Sequence, residues 1–292
     1  MRAIGGATQL AGVIGHPLGH TLSPAMHNAA YEAMGLDWVY VPLHVREEAS
    51  LPPVLDAVRA LPFVGVNVTM PYKRTMLSLC DEVAEMASLA EAVNTVQCVD
   101  GRLIGYNTDG RGLLEALTSD AGFDPTGREI VILGAGGGAA AALVALALGH
   151  AKRIAVLNRS EDRGHALIER VRERLGGVEL IALPLDPRAE DQVRTADLVV
   201  NATPVGMKAE DPSPIPVTWL RSGQVVADMV YGAQPTSLVR AARDAGAVAL
   251  DGLGMLVCQG AMSIDIWHGE ADMRAPRDVM RAAALAALGE GV

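Results

Sequence analysis

The sequence predicts an α/β fold with two domains: an N-terminal α/β domain and a Rossmann-like, doubly wound dinucleotide-binding domain, with a cleft between them. The chain has 292 residues, 50% of them hydrophobic, which suits two globular domains better than one. Apolar strand-like runs alternate with helical segments almost throughout. From residue 128 onward the alternation is regular, as in a parallel sheet that binds ligands beyond its carboxyl edge. The rhythm changes in the segment 107–127, where we expect the domain boundary.

The N-terminal half is expected to contain strands, helices and one hairpin. Ser23-Pro24 predicts a helix start, because serine caps helix N-termini and proline is tolerated in the first turn, and Gly35 predicts its end. Asp100-Gly101 joins two short apolar runs and favours a type I′ turn. The other expected elements are strands at 10–14, 39–45, 65–69, 96–99 and 103–106 and a helix at 49–60.

The sequence of the second half predicts a helix over 110–117, followed by five strands. The run 130–151 has no Lys, Arg, Asp or Glu and is long enough to cross a bilayer. Glycines at 134 and 136–138 break it into a strand, a turn and a helix that ends near Gly149, so we expect no membrane span. The expected strands are 130–133, 154–157, 180–183, 198–201 and 225–229.

Composition excludes several function classes. The 24 Lys and Arg against 34 Asp and Glu give a net charge of −10, which argues against a nucleic-acid partner. Cys80, Cys98 and Cys258 are odd in number and far apart, which favours reduced thiols over disulfides or a zinc site. The first residues lack the features of a signal peptide, so we expect a cytoplasmic protein.

A glycine-rich turn indicates a dinucleotide site. Gly134-Ala135-Gly136-Gly137-Gly138-Ala139 follows a strand-like run, precedes an apolar helix and fits G-x-G-x-x-A. The first glycine permits a tight turn and the second a close approach of backbone amides to a pyrophosphate. The last small residue permits close helix packing. The alternative is an ordinary tight turn between a strand and a helix.

The tip of the next strand favours NADP over NAD. An NAD site usually has Asp or Glu about 20 residues after the first glycine, whereas arginine accommodates a 2′-phosphate. Here the tip is Asn158-Arg159-Ser160, with Arg163 close behind, and no carboxylate occupies it. The two arginines and the serine hydroxyl suit a phosphate. Solvated arginines at a helix start are the alternative.

Three motifs in the first half predict a pocket for a polyol: GHPLGHTLSPAMHN, GVNVTMPYK, and EAVNTV followed by GYNTDG. They place short hydroxyl and amide side chains at strand ends or helix starts, where these groups can match substrate hydroxyls. Lys73 is the one cation and Asp109 the one carboxylate of the set, and together they suit proton transfer during ketone reduction. A surface role for Lys73 is the alternative. The set is Thr21, Ser23, Asn67, Thr69, Lys73, Asn94 and Asp109.

In these motifs the sequence resembles the shikimate dehydrogenase family over essentially its whole length. The matching motifs, in family order, are HTLSPAMHN, NVTMPYK, AVNTV, NTDG, GAGGGA, NRSEDR, NATPVGM, DMVYG and DGLGMLVCQGA. The resemblance implies NADPH-dependent reversible reduction of 3-dehydroshikimate to shikimate, a step toward the aromatic amino acids. It also implies a substrate domain of residues 1–108 completed by 255–292, and an NADP domain of residues 109–254.

The resemblance further implies roles for individual residues. Lys73 and Asp109 are the implied catalytic pair, and Thr21, Ser23 and Tyr231 hold the substrate carboxylate. The residues implied to address the ring hydroxyls are Asn67, Thr69, Asn94, Asp109 and Gln259. The residues implied to line NADP are Gly134, Ala135, Gly136, Gly137, Gly138, Ala139, Asn158, Arg159, Ser160, Arg163, Thr203, Met229 and Gly252.

Several alternatives stay open at this point. Thr21 stands where family members commonly have serine, so shikimate and quinate remain competing substrates, and a catabolic quinate/shikimate dehydrogenase is an alternative. A noncatalytic homologue that binds dinucleotide or metabolite is another. His16 and His20 have the spacing of helical metal ligands, but Pro17 and Gly19 prevent that helix, so we expect no metal. Both a monomer and a homodimer fit the composition.

One further pattern concerns charge. Asp81, Glu82 and Glu85 have helical spacing and are expected to form a solvated helix face rather than an acid/base pair.

Overall fold

The computed structural model describes residues 4–270 and 273–289. In chain order, the strands in these residues are β1 (Gln9–Gly15), β2 (Trp38–His44), β3 (Phe63–Val68), β4 (Glu82–Val83), β5 (Thr95–Val99), β6 (Arg102–Tyr106), β7 (Glu129–Leu133), β8 (Arg153–Asn158), β9 (Glu179–Pro184), β10 (Leu198–Asn201), β11 (Val225–Asp228) and β12 (Val248–Leu250). The α-helices are α1 (Ser23–Met34), α2 (Leu51–Ala60), α3 (Glu85–Ala90), α4 (Asp109–Ala121), α5 (Gly137–Leu148), α6 (Glu161–Arg172), α7 (Glu190–Thr195), α8 (Ser237–Asp244), α9 (Gly252–His268) and α10 (Arg277–Gly289).

The chain divides into two compact units. The first consists of Met1–Thr108 and Val257–Val292, and the second of Asp109–Leu256. The second division falls within α9.

The first unit contains a mixed sheet in the order β2-β1-β3-β5-β6-β4. β1 lies parallel to β2 and β3, whereas β5 is antiparallel to both β3 and β6. Its core includes buried aliphatic side chains from the sheet and from α2, among them Val66, Val96 and Leu51. Burial of such side chains on one face is the main stabilising term for the sheet.

The C-terminal part of α9 packs directly on this sheet through Trp267. The indole Nε1 of Trp267 donates to the carbonyl oxygen of Val96 at 3.0 Å. This contact needs Gly65, because a Cβ at that position would lie less than 3 Å from both the indole and the Val96 oxygen. Gly65 is therefore required by the close approach of the tryptophan.

The second unit contains a six-stranded parallel sheet in the order β12-β11-β10-β7-β8-β9. The strand order reverses between β7 and β10, which is the point where doubly wound sheets bind ligands. β7 reads as a continuous apolar run because both faces of a parallel sheet are covered. α4 approaches α5 closely at Gly110, where a Cβ would lie less than 3 Å from the Ala141 carbonyl oxygen.

The predicted α/β class with a Rossmann-like second half is confirmed, and the predicted strands are present within two residues of the expected ends. The hairpin turn is also confirmed, since Asp100 and Gly101 have φ of 50° and 75°, as a type I′ turn requires. Gly35 ends α1 in the left-handed conformation, as expected. No helix among the described residues is both long enough and apolar enough to span a membrane.

Two local predictions were wrong. Ser23 is the first residue of α1 rather than its cap, because the Leu22 carbonyl already accepts the Met26 N–H at 3.1 Å. Asp81 lies outside any helix, because its carboxylate accepts from the Arg59 guanidinium and from the Leu103 N–H. The Arg59 contact and the Leu103 N–H together lower the Asp81 pKa to about 2.

Candidate functional site

Backbone hydrogen bonds bring the three polar motifs of the first unit together. The Thr69 N–H donates to the Ile14 carbonyl at 2.9 Å, and the Val68 N–H donates to the Asn94 carbonyl at 2.8 Å. The Val93 N–H donates to the Lys73 carbonyl at 2.8 Å. The segments that carry Thr21 and Ser23, Thr69 and Lys73, and Asn94 thus start from adjacent strand ends.

The first motif begins beside Thr69. A Cβ on Gly15 would collide with the Thr69 methyl group, so glycine is needed where the two segments cross. After this crossing the loop reaches Thr21, whose Oγ1 accepts the Ser23 N–H at 3.4 Å. Ser23 is buried at the start of α1, and Thr21 is half-buried.

A buried polar network lies at the centre of the first unit, with Asn67 as its hub. Asn67 Nδ2 donates to Ser263 Oγ at 2.8 Å, to Thr95 Oγ1 at 3.1 Å and to the Asn94 carbonyl at 3.3 Å. Asn67 Oδ1 accepts the Tyr40 hydroxyl at 2.8 Å. The Asn67 side chain is therefore held from β2, β5 and α9 at once.

Asn94 occupies the other half of this network. Its Oδ1 accepts the Thr108 N–H at 2.8 Å and the Thr95 hydroxyl at 3.1 Å. Its Nδ2 donates to Thr108 Oγ1 at 2.9 Å and to Gln259 Oε1 at 3.3 Å. The structure thus connects Asn67, Asn94 and Gln259, three residues that were predicted from the sequence.

Four residues that were not predicted from the sequence complete the network: Tyr40, Thr95, Thr108 and Ser263. Thr95 and Thr108 had a signal because they lie in the AVNTV and NTDG motifs, and Ser263 had one because it lies four residues after Gln259 and so shares a helix face with it. The Ser263 hydroxyl donates to the Gln259 carbonyl at 3.0 Å, as serine often does one helical turn along. Tyr40 gave no local signal, since its partner is 27 positions away.

His27 supports the network from α1. Its ring is fully buried and stacks on the Tyr40 ring, with centroids 4.1 Å apart. His27 Nδ1 lies 2.8 Å from the Ser23 carbonyl oxygen, which can only accept, so this nitrogen carries the hydrogen. Burial lowers the His27 pKa to about 4, although backbone hydrogen bonds at Ser23 and Gly260 oppose this shift. The ring is therefore neutral at pH 7.

In the second unit the glycine turn after β7 leaves space for a ligand. Gly134 has φ of 107°, and a Cβ there would lie 3.1 Å from the Ala202 carbonyl oxygen. Gly136 caps α5 without a side-chain hydrogen bond, and a Cβ on it would meet nothing within 4 Å. The first N–H groups of α5 thus have no capping side chain, which is the arrangement that binds phosphate at helix N-termini.

Other predicted cofactor residues surround this turn. The Gly134 N–H donates to the Leu157 carbonyl at 2.8 Å, which ties the turn to the end of β8. A Cβ on Gly138 would lie 3.4 Å from the Met229 Sδ, and a Cβ on Gly252 would collide with the Met229 carbonyl. The turn, Met229 and Gly252 therefore lie close together in the second unit.

Asn201 and Asp228, which were not predicted from the sequence, organise the loop after β10. Asn201 Nδ2 donates to Asp228 Oδ1 at 2.8 Å, and Asn201 Oδ1 accepts the Thr203 hydroxyl at 2.7 Å. Asp228 Oδ2 also accepts the Thr236 hydroxyl at 2.6 Å. Burial raises the Asp228 pKa, while these hydrogen bonds work in the opposite direction. The pair fixes Thr203 next to Gly134.

The tip of β8 carries the predicted phosphate clamp. Asn158 Nδ2 donates to the Ser160 carbonyl at 2.8 Å, which closes the turn into α6. Arg159 and Arg163 are exposed, and among the described residues neither side chain forms an ion pair. No carboxylate follows Asn158 within the turn. This arrangement leaves two guanidinium groups available to an anion.

The remaining predicted residues are Asp109 and Tyr231. Asp109 is the first residue of α4 and is 5% exposed, and a carboxylate in the first turn of a helix is electrostatically favoured. Tyr231 follows β11, is half-buried, and has its pKa raised by burial. The described residues contain no group of three or more His, Cys, Asp or Glu side chains that could hold a metal ion.

Comparison with known proteins assigns a family to this arrangement. Residues 13–96 match the shikimate dehydrogenase substrate binding domain, residues 117–207 match shikimate / quinate 5-dehydrogenase, and residues 252–285 match the shikimate 5′-dehydrogenase C-terminal domain. The shikimate dehydrogenase (NADP(+)) of Geobacter metallireducens is 43% identical over 98% of this chain and 99% of its own. The chain belongs to the shikimate dehydrogenase family. The family predicted from the motifs is therefore confirmed.

Two solved structures of the same architecture are informative. Shikimate 5-dehydrogenase from Thermus thermophilus, in complex with NADP(H) and shikimate, is 37% identical and has a TM-score of 0.85 over 96% of this chain and 100% of that one. Quinate dehydrogenase from Corynebacterium glutamicum, in complex with NAD, is 33% identical with a TM-score of 0.87 over 96% of this chain and 99% of that one. The same fold therefore occurs in a shikimate dehydrogenase that holds NADP(H) and in a quinate dehydrogenase that holds NAD.

Proposed function

We propose that this chain catalyses the reversible, NADPH-dependent reduction of 3-dehydroshikimate to shikimate in the biosynthesis of aromatic amino acids. The observation that carries the proposal is the connected network of Asn67, Asn94 and Gln259 in a chain whose relatives are shikimate dehydrogenases of full matching length. Buried amides with fixed neighbours suit recognition of a ligand with several hydroxyl groups. We further propose a cytoplasmic location.

The first unit is proposed to bind the substrate, and the second to bind the cofactor. The proposed substrate domain comprises residues 1–108 and 255–292. The proposed NADP domain comprises residues 109–254. Thr21 and Ser23 would hold the substrate carboxylate with help from Tyr231. The ring hydroxyls would be addressed by Asn67, Thr69, Asn94, Asp109 and Gln259.

The residues present in the second unit fit NADP. The open space at Gly136 and the uncapped start of α5 suit a pyrophosphate, and the β8 tip offers two arginines and no carboxylate. Arg159, Arg163, Ser160 and Asn158 would hold the 2′-phosphate end. When bound, NADP(H) supplies the hydride acceptor or donor. The other residues proposed to line it are Gly134, Ala135, Gly137, Gly138, Ala139, Thr203, Met229 and Gly252.

Lys73 and Asp109 are proposed as the catalytic residues. During reduction the carbonyl oxygen of 3-dehydroshikimate gains a proton as its carbon gains a hydride, and Lys73 would deliver that proton. In the reverse direction Lys73 would take the proton from the same hydroxyl. Asp109 would accept a hydrogen bond from the substrate and so orient it.

A quinate/shikimate dehydrogenase is a second candidate, because Thr21 replaces the serine common in the family and a relative of the same fold is a quinate dehydrogenase. The test is a matrix of rates for shikimate and quinate, each with NADP⁺ and NAD⁺, followed by nicotinamide absorbance. The expected result is the highest kcat/KM for shikimate with NADP⁺. A higher kcat/KM for quinate would assign the second function, and no turnover in any combination would refute both. Light scattering of the same sample would distinguish a homodimer from a monomer.

A further inference from the structure

The hydrogen-bonding capacity of the Asn67 amide is almost entirely used by the protein. Nδ2 has two hydrogens and faces three acceptors, on Ser263, Thr95 and Asn94. Oδ1 can accept two hydrogen bonds and, among the residues that the structure describes, receives one, from Tyr40. The side chain is 6% exposed. Within the described part of the chain, the hydrogen-bonding capacity left to the amide is thus a single lone pair on Oδ1.

The orientation of this amide follows from its neighbours. The carbonyl oxygen of Asn94 can only accept, so the atom of Asn67 that faces it must be the nitrogen. The reverse orientation would place two acceptors 3.3 Å apart and leave the amide hydrogens directed at the Tyr40 oxygen. Tyr40 must therefore donate to Oδ1.

Ser263 reinforces the same orientation from α9. Its own hydrogen goes to the Gln259 carbonyl at 3.0 Å, so toward Asn67 the Ser263 oxygen acts as an acceptor. Ser263 and Tyr40 are both buried, and the Tyr40 ring is clamped by its stacking on His27. Neither hydroxyl can rotate toward water, so both impose a fixed pattern on the amide.

We propose that Asn67 acts toward the substrate as an acceptor only, and that Tyr40 and Ser263 are positioning residues that hold its amide in this state. This inference rests on the proposed function. An acceptor-only amide selects a hydroxyl that donates and disfavours a carbonyl oxygen, which would face it with lone pairs. Asn67 therefore addresses a hydroxyl that shikimate and 3-dehydroshikimate share, and not the oxygen that becomes the ketone.

The experiment compares Tyr40→Phe and Ser263→Ala with the wild-type protein in steady-state oxidation of shikimate by NADP⁺. Each substitution removes one hydroxyl, and we expect the KM for shikimate to rise about fivefold to tenfold, with kcat and the KM for NADP⁺ changed less than about twofold. Because both residues hold the same amide, the double variant should raise KM less than the product of the single effects.

Tyr31→Phe is the matched control. Tyr31 is equally buried and belongs to the same aromatic cluster, but its hydroxyl has no hydrogen-bond partner among the described residues. Its substitution should leave the KM for shikimate and the KM for NADP⁺ unchanged. A loss of affinity in this control equal to that in Tyr40→Phe would mean that any buried phenol matters, and the inference would be overturned.

Deoxy analogues supply a readout that a purely structural role would not move. Shikimate lacking the 4-hydroxyl or the 5-hydroxyl is tested with wild type and Tyr40→Phe. For the analogue that lacks the hydroxyl bound by Asn67, the two proteins should have the same KM. Two results would overturn the inference alone. In the first, Tyr40→Phe raises the KM for both analogues by the same factor as the KM for shikimate. In the second, the enzyme is active but Tyr40→Phe and Ser263→Ala each change the KM for shikimate less than twofold. Absence of turnover by the wild type would overturn the proposed function and the inference together.

Discussion

The buried imidazole of His27 predicts that the first unit loses stability in acid. In the unfolded chain histidine titrates near 6.5, whereas burial lowers the His27 pKa to about 4 in the fold. Between these values the unfolded chain binds more protons than the folded chain. The contribution of the neutral His27 ring to the free energy of unfolding is therefore complete above pH 6.5. It is lost as the pH falls toward 4.

The size of the effect follows from the same values. Lowering the pKa from 6.5 to about 4 corresponds to a loss of about 3 kcal/mol of unfolding free energy as the pH falls through this range. The aromatic side chains in contact with the ring are Tyr31, Tyr40 and Trp267, none of which carries a charge in this pH range. No neighbouring carboxylate in this set compensates an imidazolium.

Urea unfolding at constant ionic strength, from pH 4.5 to 7.5, measures this contribution. Trp38 and Trp267 lie in the first unit and Trp219 in the second, so all variants are made in a Trp219→Phe background, where tryptophan fluorescence reports unfolding of the first unit. His27→Phe keeps a ring against Tyr40 and should remove most of the pH slope between pH 6.5 and 4.5, whatever its constant cost in stability. Tyr31→Phe, on the same helix, should retain the wild-type slope. Parallel curves for wild type and His27→Phe would refute the reasoning.

Three further predictions concern the fold, the chemistry and the cofactor. Gly65→Ala should destabilise the first unit by about 2 kcal/mol or more, because its Cβ collides with the Trp267 indole; Gly5→Ala, at a position with open space, is the control in the same urea titration, and equal midpoints for the two would contradict this. Lys73→Ala should reduce kcat about 10²-fold to 10⁴-fold if this lysine transfers the proton, and a loss under tenfold would remove it from the mechanism. Arg159→Ala should raise the Kd for NADP⁺ much more than the Kd for NAD⁺ in fluorescence titrations, and equal effects would exclude a phosphate contact.

The elements that sequence reasoning predicted well are those whose causes are local. The Asp100-Gly101 turn depends on the backbone freedom of two adjacent residues. The turn at Gly134 follows directly from a strand, a run of small residues and a helix. In both cases the determining residues are neighbours in the chain, so the pattern carries the information.

The elements that it missed depend on distant partners. Asp81 was expected on a helix face, but its carboxylate binds a guanidinium and an N–H that are both 22 positions away. Ser263 reaches Asn67 across 196 positions, and no spacing rule connects them. Asn67 and Asn94 could be selected as polar residues at strand ends, whereas the hydrogen bonds of Asn67 with the Tyr40 and Ser263 hydroxyls could be found only from the fold.

The proposed cofactor residues are exposed and the proposed ring-hydroxyl residues are buried, which affects how cofactor and substrate specificity can change. The exposed Arg159 and Arg163 make no ion pairs in the described structure, and exposed substitutions usually cost less than about 0.5 kcal/mol. If these arginines hold the 2′-phosphate as proposed, we expect single substitutions at them to shift cofactor preference at little cost in stability. Asn67 and Asn94 are buried and share partners, and leaving one such partner unpaired costs about 1–3 kcal/mol. If Asn67 and Asn94 bind the ring hydroxyls as proposed, a change of the hydroxyl pattern should require matched substitutions on β2, β5 and α9, whereas a change at the half-buried Thr21 should not. Substrate preference between shikimate and quinate should accordingly vary at Thr21 first.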